Sequence, residues 1–129
     1  MSVDVEVIGA HGVAHAPPQA EIERLVMLAL ASAGVADGHV AVEFVAPERI
    51  AELNATHRGK DGPTDVLSFP VDEDGEAFGP RELGDIVICP QHTHDLREAI
   101  VHGALHLTGM DHETDDGEML ALQAEILGW

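Results

Sequence analysis

The sequence predicts a single α+β domain, on three observations. Period-two and all-apolar runs read as strands. Other stretches carry apolar residues at helical spacing. The order runs strand, helix, strand, helix, then a hairpin and two closing helices, which is an α+β succession. A length of 129 residues and a hydrophobic content of 45% suit one core and argue against disorder.

Val3, Val5 and Val7 alternate with Asp4 and Glu6, the pattern of a half-buried strand. Residues 9–18 read as a loop in which His11 and His15 are solvated, because no ligand motif surrounds them. Pro17 and Pro18 suit a helix start. Ile22, Leu25, Val26, Ala29, Leu30 and Ala33 then form one apolar stripe, and Gly34 ends the helix. Val40, Val42 and Phe44 make a second strand. Pro47 opens a short helix with Ile50, Ala51 and Leu53. Residues 54–65, NATHRGKDGPTD, read as an ordered loop or as disorder on composition alone. Residues 65–71 and 84–89 are strands joined by an acidic, glycine-bearing hairpin connection. Within that connection Asp72, Asp74 and Glu76 lack the spacing of a calcium loop. Cys89 is expected as a small buried hydrophobe, and Pro90 ends its strand. Thr93 and Asp95 fit a helix N-cap region. Met119, Leu122, Ile126 and Leu127 give a last amphipathic helix, ended by Gly128.

Charge and cysteine content narrow the partners. The net charge is −18, and the only cations besides histidine are Lys60 and five arginines. An acidic body slows encounter with RNA, which is bound through Lys and Arg. It leaves room for a locally positive cleft, because charge is screened beyond a Debye length of about 8 Å. An acidic surface also suits adaptation to a salty cytoplasm. The lone Cys89 precludes an internal disulfide and suits a reducing compartment. The start, MSVDVEV, is unlike a signal peptide, and the longest apolar run, around Leu25 to Ala36, is amphipathic rather than membrane-spanning. The expectation is a cytoplasmic protein with no membrane partner.

The chemistry concentrates in VHGALHLTGMDHE, Val101 to Glu113. His102 and His106 are four apart and share a helix face. His112 reaches the same point only if the helix ends between, and Gly109 stands where a left-handed C-cap would end it. Three neutral imidazoles suit Zn2+ with a fourth position open to water, the catalytic rather than the structural pattern. Neutral ligands leave full charge on the ion, so its water ionises near neutral pH. H-x3-H-x5-H is also the ligand frame of metzincin proteases, but Gly103 stands where those need a glutamate base. Ordinary hydrogen-bonded histidines are the competing reading of the same spacing.

The wording around these histidines resembles a known family. HGALHLTGMDH, LNATHRGKDGPTDVLSFP (Leu53 to Pro70) and GDIVI (Gly84 to Ile88) resemble, in order, the three motif blocks of the YbeY family. Its members are metal-dependent endoribonucleases of bacterial ribosomal RNA maturation. The resemblance implies a mostly four-stranded mixed sheet packed with helices, and one zinc ion in an open cleft. It implies metal ligands His102, His106 and His112, with Arg58 and His102 as catalytic residues. Arg58 and Lys60 would meet RNA phosphates. The implied partners are single-stranded 16S precursor RNA, small-subunit ribosomal proteins and a ribosome-associated GTPase. Asp85 and Asp111 are candidates to orient the histidine ligands from behind. The chain departs from the family at His57, where tyrosine is usual and a plain aromatic replacement is expected. It departs again in residues 90–101, which are shorter than in most members and hold His92 and His94.

Three functions compete on these residues. The first is a single-strand-preferring endoribonuclease acting in 16S 3′-end maturation and ribosome quality control. The second is a non-catalytic ribosome-assembly factor with structural zinc, which the acidic surface suits. The third is a metzincin-like hydrolase, which Gly103 argues against.

Overall fold

The structure, a computed structural model, describes residues 3–14, 16–35, 37–70, 82–110 and 117–128. The elements follow in the order β1 (Val3–Ile8), α1 (Gln19–Ser32), β2 (Gly38–Phe44), α2 (Pro47–Arg58), β3 (Val66–Pro70), β4 (Glu82–Ile88), α3 (Leu96–Leu107) and α4 (Glu118–Leu127). A 3-10 turn at Pro90–His92 leads into α3.

The strands form one mixed sheet in the order β1-β2-β4-β3. β2 runs parallel to β1 and to β4, and β3 pairs antiparallel with β4. Thus α+β, four-stranded and mixed, as expected, with the hairpin formed by β3 and β4. Its connection, residues 71–81 with Asp72, Asp74 and Glu76, lies outside the described residues. Pro70 is tolerated because β3 is an edge strand.

Strand alternation divides the core in two. Val40, Val42 and Phe44 of β2 and Ile86 and Ile88 of β4 point to the face covered by α1, α3 and α4. Val87 and Leu67 point the other way and pack with Cys89 under Ile50 of α2. The stripe of α1 is buried from Ile22 through Leu30, whereas its last expected member, Ala33, is the exposed C-cap. The chain leaves α1 by two bonds, Val35 N–H to Leu30 C=O (3.0 Å) and Gly34 N–H to Ala31 C=O (2.9 Å). Glu21 of α1 pairs with Arg24 at 2.7 Å and reaches Arg97 of α3 at 3.5 Å, linking the two helices. Asp95 accepts from the N–H groups of Arg97 and Glu98 and so caps α3.

One expectation needs correction. The helix opened by Pro47 does not stop near Leu53 but runs to Arg58, so the first five residues of segment 54–65 are helical. Asn54, the first residue of that segment, is 4% exposed and faces inward. Gly59 ends the helix at φ 64°, a left-handed conformation that favours glycine. Within segment 90–101 the 3-10 turn is followed by α3, which begins at Leu96.

Candidate active site

Helix α3 carries His102 and His106 along one face toward β3. Its approach to the sheet is close: a Cβ on Gly103 would lie 2.5 Å from Ile86 Cγ2 and 3.2 Å from Ser68 Oγ. Ser68 Oγ donates to the Gly103 carbonyl at 2.9 Å, fixing the helix against β3. Gly103 is thus a packing residue, and a glutamate base there would have no room. Thr108 and Gly109 then end α3, with Gly109 at φ 95°. This is the break that the histidine spacing demanded.

Both rings are held from behind. His102 Nδ1 donates to Gln123 Oε1 of α4 at 2.8 Å. His106 Nδ1 donates to the Met110 carbonyl at 2.9 Å, a contact that exists because the chain turns back at Gly109. Since both acceptors are oxygens without a proton to give, each neutral ring carries its lone pair on Nε2. The two Nε2 atoms stand 3.2 Å apart, with the rings edge to face. Two ligands on a tetrahedral zinc, at Zn–N of about 2.0–2.1 Å, are about 3.3 Å apart. The pair therefore fits a shared metal in tautomer and in spacing. Among the described residues no group of three His, Cys, Asp or Glu is placed to hold a metal. His112 and Asp111 lie outside the described residues.

The pair opens into a cleft of about 590 Å³ whose lining includes Arg58, Asp65, Ser68, His102, His106 and Met110. Arg58 arrives there as the last residue of α2. The following loop is tied down by Asn54, whose Nδ2 donates to the Gly62 carbonyl at 2.9 Å and whose backbone carbonyl accepts from Lys60 N–H at 3.3 Å. Asp65 Oδ1 accepts from Thr64 Oγ1 and Val66 N–H, holding the far end of the loop. Among the described residues Arg24, Arg49 and Arg97 pair with glutamates, whereas Arg58 and Lys60 pair with none. Lys60 is exposed two residues beyond Arg58 and is not part of the lining.

Asp85 is a correction. It pairs with Phe69 in the hairpin register, while Ser68, which faces α3, pairs with Ile86. Asp85 therefore points to the opposite face of the sheet from the histidines. Its neighbours there are Glu82, His39 and Glu6, and desolvation first, then Glu82, pushes its carboxyl above the usual range. The groups that orient the histidines are Gln123 and the Met110 carbonyl. The available signal for Gln123 was a polar residue at a core position between Met119 and Ile126. His57 packs edge-on against Phe69 at 4.9 Å and stays out of the cleft, an aromatic surface residue as expected. His94 lines a smaller depression beside His102, and His92 is exposed.

A histidine pair and an arginine lining one open cleft are the type of site that handles an oxyanion. Comparisons with known proteins narrow that class. The sequence model described as Endoribonuclease YbeY matches residues 9–128. The Endoribonuclease YbeY of Bacillus licheniformis is 44% identical over 84% of this chain and 82% of its own length. That of Geobacillus thermodenitrificans is 38% identical over 98% and 96%. The solution structure of a Thermotoga maritima protein superposes with a TM-score of 0.50 at 28% identity, covering 95% of this chain and 86% of that one. The chain belongs to the endoribonuclease YbeY family.

Proposed function

We propose that the protein is a zinc-dependent endoribonuclease that cuts single-stranded RNA, acting in the cytoplasm in 16S 3′-end maturation and ribosome quality control. One observation carries the metal site: His102 and His106 bring their Nε2 atoms within 3.2 Å of each other from rings held at Nδ1. Family membership supports RNA as the substrate. His102, His106 and His112 would hold the zinc, which when bound would supply Lewis-acid polarisation of a phosphoryl oxygen and acidify water.

The chain's own residues do the rest. Arg58 presents a planar fork of donors to the nonbridging oxygens, and these hydrogen bonds strengthen as negative charge develops there. Lys60 holds a neighbouring phosphate. Asn54 keeps the loop between them in place. Gln123 and the Met110 carbonyl keep protons on the two Nδ1 atoms throughout. The partners are ribosomal RNA, small-subunit ribosomal proteins and a ribosome-associated GTPase. Among the described residues no helix is long and apolar enough to cross a membrane.

The net charge of −18 favours a second reading, a non-catalytic assembly factor that meets basic ribosomal proteins. One experiment separates the two. A transcript spanning the 3′ end of precursor 16S RNA is incubated with wild type, with wild type plus chelator, and with His106→Ala and Arg58→Ala proteins. Cleavage by wild type alone supports the nuclease. No cleavage by the zinc-loaded wild type supports the assembly role.

A further inference from the structure

Helix α4 places an amide where its periodicity calls for an apolar residue. Gln123 is 7% exposed and lies between Met119 and Ile126, both fully buried. A buried amide is costly unless hydrogen-bonded, and its Oε1 meets His102 Nδ1 at 2.8 Å. A leucine would fill the same space and satisfy the core. An amide there is explained by what it does to the ring.

We propose that Gln123 is the positioning residue of the histidine pair, and that its neutrality is part of the function; this rests on the metal reading above. As an acceptor it selects the Nδ1–H tautomer of His102 and aims Nε2 into the cleft. A carboxylate would aim the ring equally well. It would also raise ring basicity and set a negative charge against the ligand. In a chain of net charge −18, the cleft that must admit a phosphodiester gains from an acceptor that carries no charge. His106 obeys the same rule, since its acceptor, the Met110 carbonyl, is also neutral. In both of these contacts the acceptor is an uncharged carbonyl oxygen, and α4, which contributes no lining residue to the cleft beside Arg58, becomes part of the site.

The test uses the full chain as wild type, Gln123→Leu, Gln123→Glu and His106→Ala. Nitrogen-15 NMR of the imidazoles, above the pH of histidine titration and without metal, reads the His102 tautomer. Competition titration reads zinc affinity. The proposal expects Nδ1–H at His102 in wild type and Gln123→Glu, and a tautomer mixture in Gln123→Leu. It expects zinc affinity lower by about 10–100-fold in Gln123→Leu, retained or raised in Gln123→Glu, and a higher KM for RNA in Gln123→Glu. A folded Gln123→Leu protein with the wild-type tautomer and zinc affinity overturns it. Should that variant not fold, Gln123→Glu decides alone, and zinc affinity below wild type overturns it. Zinc affinity equal in wild type and His106→Ala instead overturns the metal reading, and the tautomer comparison then decides Gln123 by itself.

Discussion

A methyl group added at Gly103 would meet Ile86, Ser68 and Val66 together, two of them at 3.2–3.3 Å and Ile86 Cγ2 at 2.5 Å. Gly103→Ala should therefore push α3 off the hairpin and destabilise by about 1–3 kcal/mol, measured by urea unfolding. Unchanged stability would show that the helix has slack there. At Arg58 the expectation is the reverse, a functional loss without a structural one. Arg58→Ala should lower kcat for RNA cleavage by about 10²–10³-fold with an unchanged melting temperature. Arg58→Lys should recover little, because an ammonium lacks the planar fork. The sequence carries Arg58, His102 and His106 openly, since each stands in a dense motif. It hides Gln123, whose signal is only its place in an apolar stripe. It misleads at Asp85, because Ile86, Val87 and Ile88 are apolar on both faces and no alternation says which way Asp85 points.

At the scale of elements, helix caps and stripes were legible because their causes are local. Asp95 caps α3 as its position implies, and Asp95→Ala should cost about 1 kcal/mol in chemical denaturation. The length of α2 was not legible, since Asn54 is turned inward by a bond to Gly62 that only the folded loop supplies. Sheet order was likewise beyond local reading. It brings His39 of β2 between Glu82 of β4, at 3.0 Å, and Glu6 of β1, at 3.3 Å. The hydrogen bond to Glu82, against burial and with the charges of Glu82, Asp4 and Glu6, holds His39 above its ordinary value of 6.5. The folded state thus binds that proton more tightly than the unfolded chain. Its stabilisation is fully present below pH 6.5 and is lost as pH rises through the folded value. His39→Gln should flatten the stability profile across that window. Asp85, also raised, opposes folding once ionised, so Asp85→Asn should raise the melting temperature at pH 7.

At the scale of the whole molecule, a net charge of −18 means self-repulsion. Potassium chloride from 0.1 to 1 M should raise the melting temperature, and a flat response would remove the idea of a chain adapted to salt. RNA affinity should fall only gently over the same range. With Arg58 and Lys60 as the phosphate contacts, log affinity against log salt should slope at about −1.4, from about −0.7 per contact on a single strand. A much steeper slope would mean that other cations are recruited. The parallel seam has a kinetic consequence as well. β3 and β4 can pair as a hairpin early, but β2 reaches β4 only by joining Val42 to Ile86, residues far apart in sequence. Closing so long a loop is slow. α3 docks on the hairpin through Gly103, so the histidine pair belongs to the part of the chain that can form first, while β1 and β2 join it late. Refolding followed at the two histidines should run ahead of refolding followed at β1.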